Sequence, residues 1–116
     1  MSSPEKDPNV YLRHMLELSQ KALSLIEGIE SADYSKNEAL KLALIRLVQT
    51  IGEAARNVPY ETQEKFPRIP WREIIGMRHK LVHNYMGVDE KIIWLTVQNK
   101  LPELLELLEN ILGSDD

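Results

Sequence analysis

Apolar residues recur at every third or fourth position along most of this chain, and no segment alternates with period two. That periodicity leaves amphipathic helices as the way to bury an apolar face. The composition agrees: there is one phenylalanine, and valine and threonine are sparse. The chain is expected to fold as an all-α, antiparallel bundle of four to five helices. With 116 residues it is read as a single domain, 1–116, built on one core. The ends, about 1–7 and 113–116, are expected to be flexible tails.

Asp7-Pro8 reads as a cap followed by proline in the first helical turn. Leu12, Met15, Leu16, Ala22, Leu23, Ile26 and Ile29 then mark a first helix over about 8–30. Ser35-Lys36-Asn37-Glu38 has the form of a capping box and opens a second helix over about 36–57. Its stripe is Leu40, Ala43, Leu44, Leu47, Val48, Ile51, Ala55 and Val58, and Pro59 ends it. Three prolines make 59–70 a connector with room for one helical turn. Pro70 opens a helix over about 70–85, and Gly87 suits its stop. Asp89 caps a last helix running to about Ile111, which Pro102 should kink or divide.

Cysteine is absent, which excludes disulfides, thiolate metal sites and a cysteine nucleophile. No apolar run approaches the roughly 18 residues of a membrane span, and MSSPEKDPNV lacks the apolar stretch of a signal peptide. A cytoplasmic protein with no membrane partner is expected. Net charge is −4, which argues against non-specific nucleic-acid binding by the whole surface. The charge is uneven, however. Residues 64–83 hold Lys65, Arg68, Arg72, Arg78 and Lys80 against Glu64 and Glu73, a local excess of three positive charges, together with two of the three histidines.

Inside that basic window the helical pattern breaks. Trp71, Ile74, Ile75, Leu81, Val82 and Tyr85 form an apolar stripe, and the position that completes it is Arg78. A guanidinium stays charged and is costly to bury alone. Arg78 therefore requires a buried carboxylate, a subunit interface or an anionic ligand. His79 and His83 are four apart and share a face with Arg72 and Gly76. Glycine within a helix costs about 1 kcal/mol relative to alanine, so Gly76 is a candidate for clearing space beside a ligand or another helix. The His-x3-His spacing also suits a metal, but the zincin pattern needs Glu where Lys80 stands, and the nearest downstream carboxylate is Asp89. No dedicated metal site is expected. Phosphate-binding loops, dinucleotide fingerprints, nucleophile elbows and the interleaved aromatics of a single-strand platform are absent, and no cofactor is implied. Glu53, seven residues after Arg46 on the polar side of the second helix, reads as a solvated face and remains a secondary site candidate.

Arg78, His83 and Tyr85 together spell R-x4-H-x-Y. This resembles the signature of the HEPN superfamily, and in particular the HepT-like toxin ribonucleases. Ile51-Gly52-Glu53-Ala54-Ala55, Ile69-Pro70-Trp71 and Gly87-Val88-Asp89 also fall where that family has similar residues, so the likeness runs from about Tyr11 to Leu105. His79 departs from the asparagine often found after the arginine. The resemblance implies a helical homodimer, metal-independent RNA cleavage at a cleft between subunits, and a toxin paired with a minimal nucleotidyltransferase antitoxin. It also implies that such a partner adenylylates the motif tyrosine, here Tyr85. Arg78 and His83 are the expected catalytic pair, with His79, Lys80 and Arg72 contacting RNA phosphates. A non-catalytic adaptor that binds a nucleotidyltransferase or a nucleotide through Arg78 is the alternative.

Helix geometry bears on this expectation. Five residues correspond to about 140° of rotation and 7.5 Å of rise, so Arg78 and His83 of one chain diverge. Two copies about a two-fold axis would supply two arginines and two histidines to one cleft.

Overall fold

A computed structural model describes residues 7–84 and 87–113. These residues form seven α-helices and one π-helical turn, with no strand among them. Helix α1 spans Pro8–Ile26, α2 Ser31–Lys36, α3 Glu38–Asn57, α4 Tyr60–Lys65, α5 Trp71–His83, α6 Glu90–Leu95 and α7 Leu101–Leu112. The four longest pack in the order α7–α1–α3–α5, and α6 closes against α3 and the π turn. The all-α expectation stands. The count is higher than four or five because α2 and α4 are single short turns of chain between the long helices.

Local chemistry explains the boundaries. The Asp7 carboxylate accepts the Asn9 N–H at 2.9 Å and starts α1. That helix stops at Ile26, before the expected residue 30, because Gly28 turns the chain with φ at +75°. Ser35 does not cap the second long helix. It lies inside α2, where its hydroxyl donates to the Ala32 carbonyl at 2.9 Å. Asn37 is the cap, its Oδ1 accepting the Leu40 N–H at 3.0 Å. Asp89 caps α6 as expected, accepting the Lys91 N–H at 2.9 Å.

Pro102 divides the last helix. Proline has no N–H for the carbonyl four residues back, and its ring crowds that carbonyl. The chain responds by widening into a π turn over Thr96–Lys100, in which the Leu101 N–H bonds to the Thr96 carbonyl. The helix then resumes as α7.

The core joins the α1 and α3 stripes to a third apolar set on the last two helical segments. Leu12, Met15 and Ala22 of α1 meet Leu44, Leu47, Val48, Ile51 and Ala55 of α3, with Val97, Leu101, Leu104 and Leu108 on the far side. Ser19 sits fully buried within the α1 stripe. Tyr34 of α2 stacks on Trp94 of α6, ring centroids 4.7 Å apart, and its hydroxyl donates to the Glu90 carbonyl at 2.8 Å. Val82, in the apolar stripe of α5 by its spacing, is exposed, because the turn of α5 that buries Leu81 carries Val82 outward. Among the described residues no helix is long and apolar enough to cross a membrane.

Candidate functional site on helix α5

The candidate site residues of helix α5 are divided between the face packed on α3 and the exposed face. Ile74, Arg78 and Leu81 turn toward the bundle. Their approach to α3 depends on Gly52, where a Cβ would fall on the Cβ of Arg78 and 3.0 Å from the Ile74 carbonyl oxygen. The glycine that clears space for another helix is therefore Gly52. At Gly76, which the sequence pointed to, a Cβ would meet nothing within 4 Å. The signal for Gly52 was its place in Ile51-Gly52-Glu53-Ala54-Ala55, but periodicity alone could not say which helix it faced.

Arg78 has the carboxylate partner that its position demanded. Its side chain is only 19% exposed, and its Nε lies 3.9 Å from Glu53 Oε2. That is ion-pair range and beyond hydrogen-bond range. Gln49 Nε2 donates to the same Glu53 oxygen at 3.4 Å. The Arg78 Nε is buried and has no hydrogen-bond partner among the described residues. A buried, charged donor left in this state costs free energy, which an anion or a further acceptor would recover. Glu53 is thus the carboxylate that faces Arg78.

His79 and His83 are exposed and lie together, ring centroids 4.3 Å apart and tilted by 45°. Around α5 they stand about 100° and 140° from Arg78, away from the α3 contact. The structure brings His79 to His83, and Arg78 to Glu53, and the two pairs leave α5 in different directions. His83 is the last residue of α5. Tyr85 lies outside the described residues, as do residues 1–6 and 114–116 of the expected tails. Among the described residues no three His, Asp or Glu side chains cluster at metal-ligand spacing.

Two grooves flank α5. One, of about 400 Å³, runs toward α7 and is lined by Ile51, Met77, Lys80, Ile92, Lys100 and Leu104 among others. The second, of about 630 Å³, lies toward α4 and is lined by Tyr60, Glu64, Trp71, Ile75 and His79 among others. Arg72 and Gly76 border both. Arg72 and Lys80, expected at phosphates, are both exposed; Arg72 stands between the grooves and Lys80 borders the first. The second groove was not visible in the sequence, because Tyr60 and Trp71 stand on different helices.

The fold and site together define an all-helical HEPN-type protein with the R-x4-H arrangement on a helix packed against the bundle. The family described as "Ribonuclease HepT-like" matches residues 15–111, and the chain belongs to it. A protein of Caldanaerobacter subterraneus subsp. tengcongensis named "Putative RNase" is 41% identical over 95% of this chain and 98% of its own length. Another of that name from Methanocaldococcus jannaschii is 35% identical over 94% of this chain and 90% of its own. A "Probable ribonuclease HepT" of Thermococcus cleftensis is 37% identical over 83% and 91%. No solved structure is significantly similar.

Proposed function

We propose that this chain is an endoribonuclease whose site is completed by a second copy, with RNA supplying its own nucleophile. The observation that carries the reading is the division on α5. A partly satisfied arginine is held on one face by Glu53, and an exposed imidazole pair lies on another. Arg78 and His83 leave α5 about 140° apart, so one chain closes them on a single phosphate only through the reach of long side chains. A two-fold pair would set Arg78 of one copy against His83 of the other. The family membership supports the same activity.

In this reading an imidazole takes the proton of the RNA 2′-hydroxyl, and the 2′-oxygen forms a bond to the adjacent phosphorus. The phosphorus–O5′ bond breaks, and a second imidazole protonates the leaving oxygen. The products are a 2′,3′-cyclic phosphate and a 5′-hydroxyl. Arg78 stabilises the extra negative charge on the phosphorane, and Arg72, His79 and Lys80 hold neighbouring phosphates. The resemblance further supports a toxin role in the cytoplasm, with a minimal nucleotidyltransferase antitoxin that adenylylates Tyr85. An adenylate phosphate there would compete with RNA for Arg78.

The test is cleavage of an RNA oligonucleotide in EDTA. Cyclic phosphate ends and resistance of 2′-deoxy or 2′-O-methyl substrates are expected. Arg78→Ala and His83→Ala should stay folded by circular dichroism, and His83→Ala should lose about 10²- to 10⁴-fold in rate. Sedimentation should show a dimer, and intact mass after incubation with the partner and ATP should show adenylate on Tyr85. Cutting of 2′-deoxy substrates, a requirement for Mg²⁺, or full activity in a strict monomer would refute the mechanism.

A further inference from the structure

From the groove between α4 and α5 we infer a nucleobase subsite: Tyr60 and Trp71 offer aromatic faces to one RNA base beside the phosphate attacked at His83. The inference rests on the ribonuclease reading and adds what holds the substrate next to the cut.

Four observations converge on this groove. Tyr60 opens α4 with 72% of its surface exposed, although a tyrosine ordinarily buries most of its ring. Trp71 faces the same groove from α5, half-buried. Its Nε1–H donates to the carbonyls of Gln63 and Phe66, each at 3.1 Å. Those bonds fix the indole plane, so a base can stack on it without a further loss of side-chain entropy. Gly76 forms part of the wall, and the space where its side chain would stand is open. Finally, His79 lines the groove while its ring touches that of His83, so the groove leads to the imidazole pair.

Beside the cations assigned to neighbouring phosphates, the rim carries a carboxylate suited to a base edge. Arg72 supplies donors and Glu64 supplies acceptors on the same groove. A carboxylate repels a phosphate but accepts hydrogen bonds from the N–H groups of a base edge. The volume of about 630 Å³ falls within the range of small-ligand sites and leaves space for one base with its ribose. Stacking on aromatic side chains is tolerant of sequence because each base has a π-face. Glu64 is the group that would impose preference.

The experiment measures binding of a 2′-deoxy oligonucleotide to the full-length chain by quenching of tryptophan fluorescence. The same oligonucleotide with a single abasic position, moved along the strand, is the second probe. One abasic position should weaken binding at least about fivefold, the lower end of what one base–aromatic stack contributes. Tyr60→Ala should weaken the intact oligonucleotide to a similar degree and should be insensitive to that abasic position. Gly76→Leu, a helix-favouring change into open space, should melt no lower than the native protein yet bind as weakly as Tyr60→Ala. Binding within twofold of native for both variants, or equal binding of all abasic probes, would overturn the subsite. RNA cleavage by the native chain is scored separately. A native chain that binds through this groove but never cuts RNA would refute the ribonuclease reading and leave the subsite standing.

Discussion

Gly52→Ala and Gly76→Ala add the same methyl group to helix interiors and should move stability in opposite directions. Alanine is intrinsically favoured over glycine in a helix by about 0.8–1 kcal/mol. At Gly76 nothing lies within 4 Å of the new Cβ, so that gain is realised in full. At Gly52 the new Cβ falls on the Cβ of Arg78 and lies 3.0 Å from the Ile74 carbonyl oxygen. Both are groups tied to the α5 backbone, and neither is the free end of a side chain. Relief requires α5 to move away from α3, its most extensive helix contact. Overpacking of this kind costs about 1–3 kcal/mol, and the rigid neighbours favour the upper half of that range. Net of propensity, Gly52→Ala should destabilise by about 1–2 kcal/mol. For a domain of this size 1 kcal/mol corresponds to roughly 4 °C in Tm, so Gly52→Ala should melt about 4–8 °C lower and Gly76→Ala about 4 °C higher. Calorimetry of both variants at one concentration measures this. Because the displaced atoms include the stem of Arg78, RNA cleavage by Gly52→Ala should fall further than its stability. A Gly52→Ala protein as stable as the native one would refute the close approach of α3 and α5, and with it the account of how Arg78 is held.

Two further outcomes follow from the core. Ser19 is fully buried and its hydroxyl has no hydrogen-bond partner among the described residues. Ser19→Ala removes that unsatisfied group and should raise stability by about 1 kcal/mol, read as a higher urea midpoint; a lower midpoint would show that the hydroxyl is bonded. Tyr34 has its pKa pushed up to about 12, first by burial and then by the negative charges of Glu90 and Asp89. Its contribution is therefore complete below the ordinary tyrosine pKa of 10.0 and is lost as pH rises toward 12, because the unfolded chain ionises first. The native protein should lose stability between about pH 10 and pH 12 more steeply than Tyr34→Phe, and parallel urea midpoints for the two would contradict this.

Much of the architecture is local and could be read from the chain. The stripes of α1 and α3, the caps at Asp7 and Asp89, and the division at Pro102 each depend on residues within about four positions of one another. The R-x4-H-x-Y signature was legible for the same reason, as was the divergence of Arg78 from His83, which follows from helical rotation alone. Other boundaries were settled by competition between neighbours: Asn37 displaced Ser35 as a cap once α2 had claimed Ser35 for its own hydrogen bonding. Beyond that, tertiary packing decided. That Arg78 pairs with Glu53, that Gly52 rather than Gly76 makes the close contact, and that Tyr60 and Trp71 share a groove are facts about helices distant in sequence. Periodicity states which face of a helix is apolar. It does not state which helix covers that face, and the partner of a charged side chain or the neighbour of a missing Cβ is set by that choice alone.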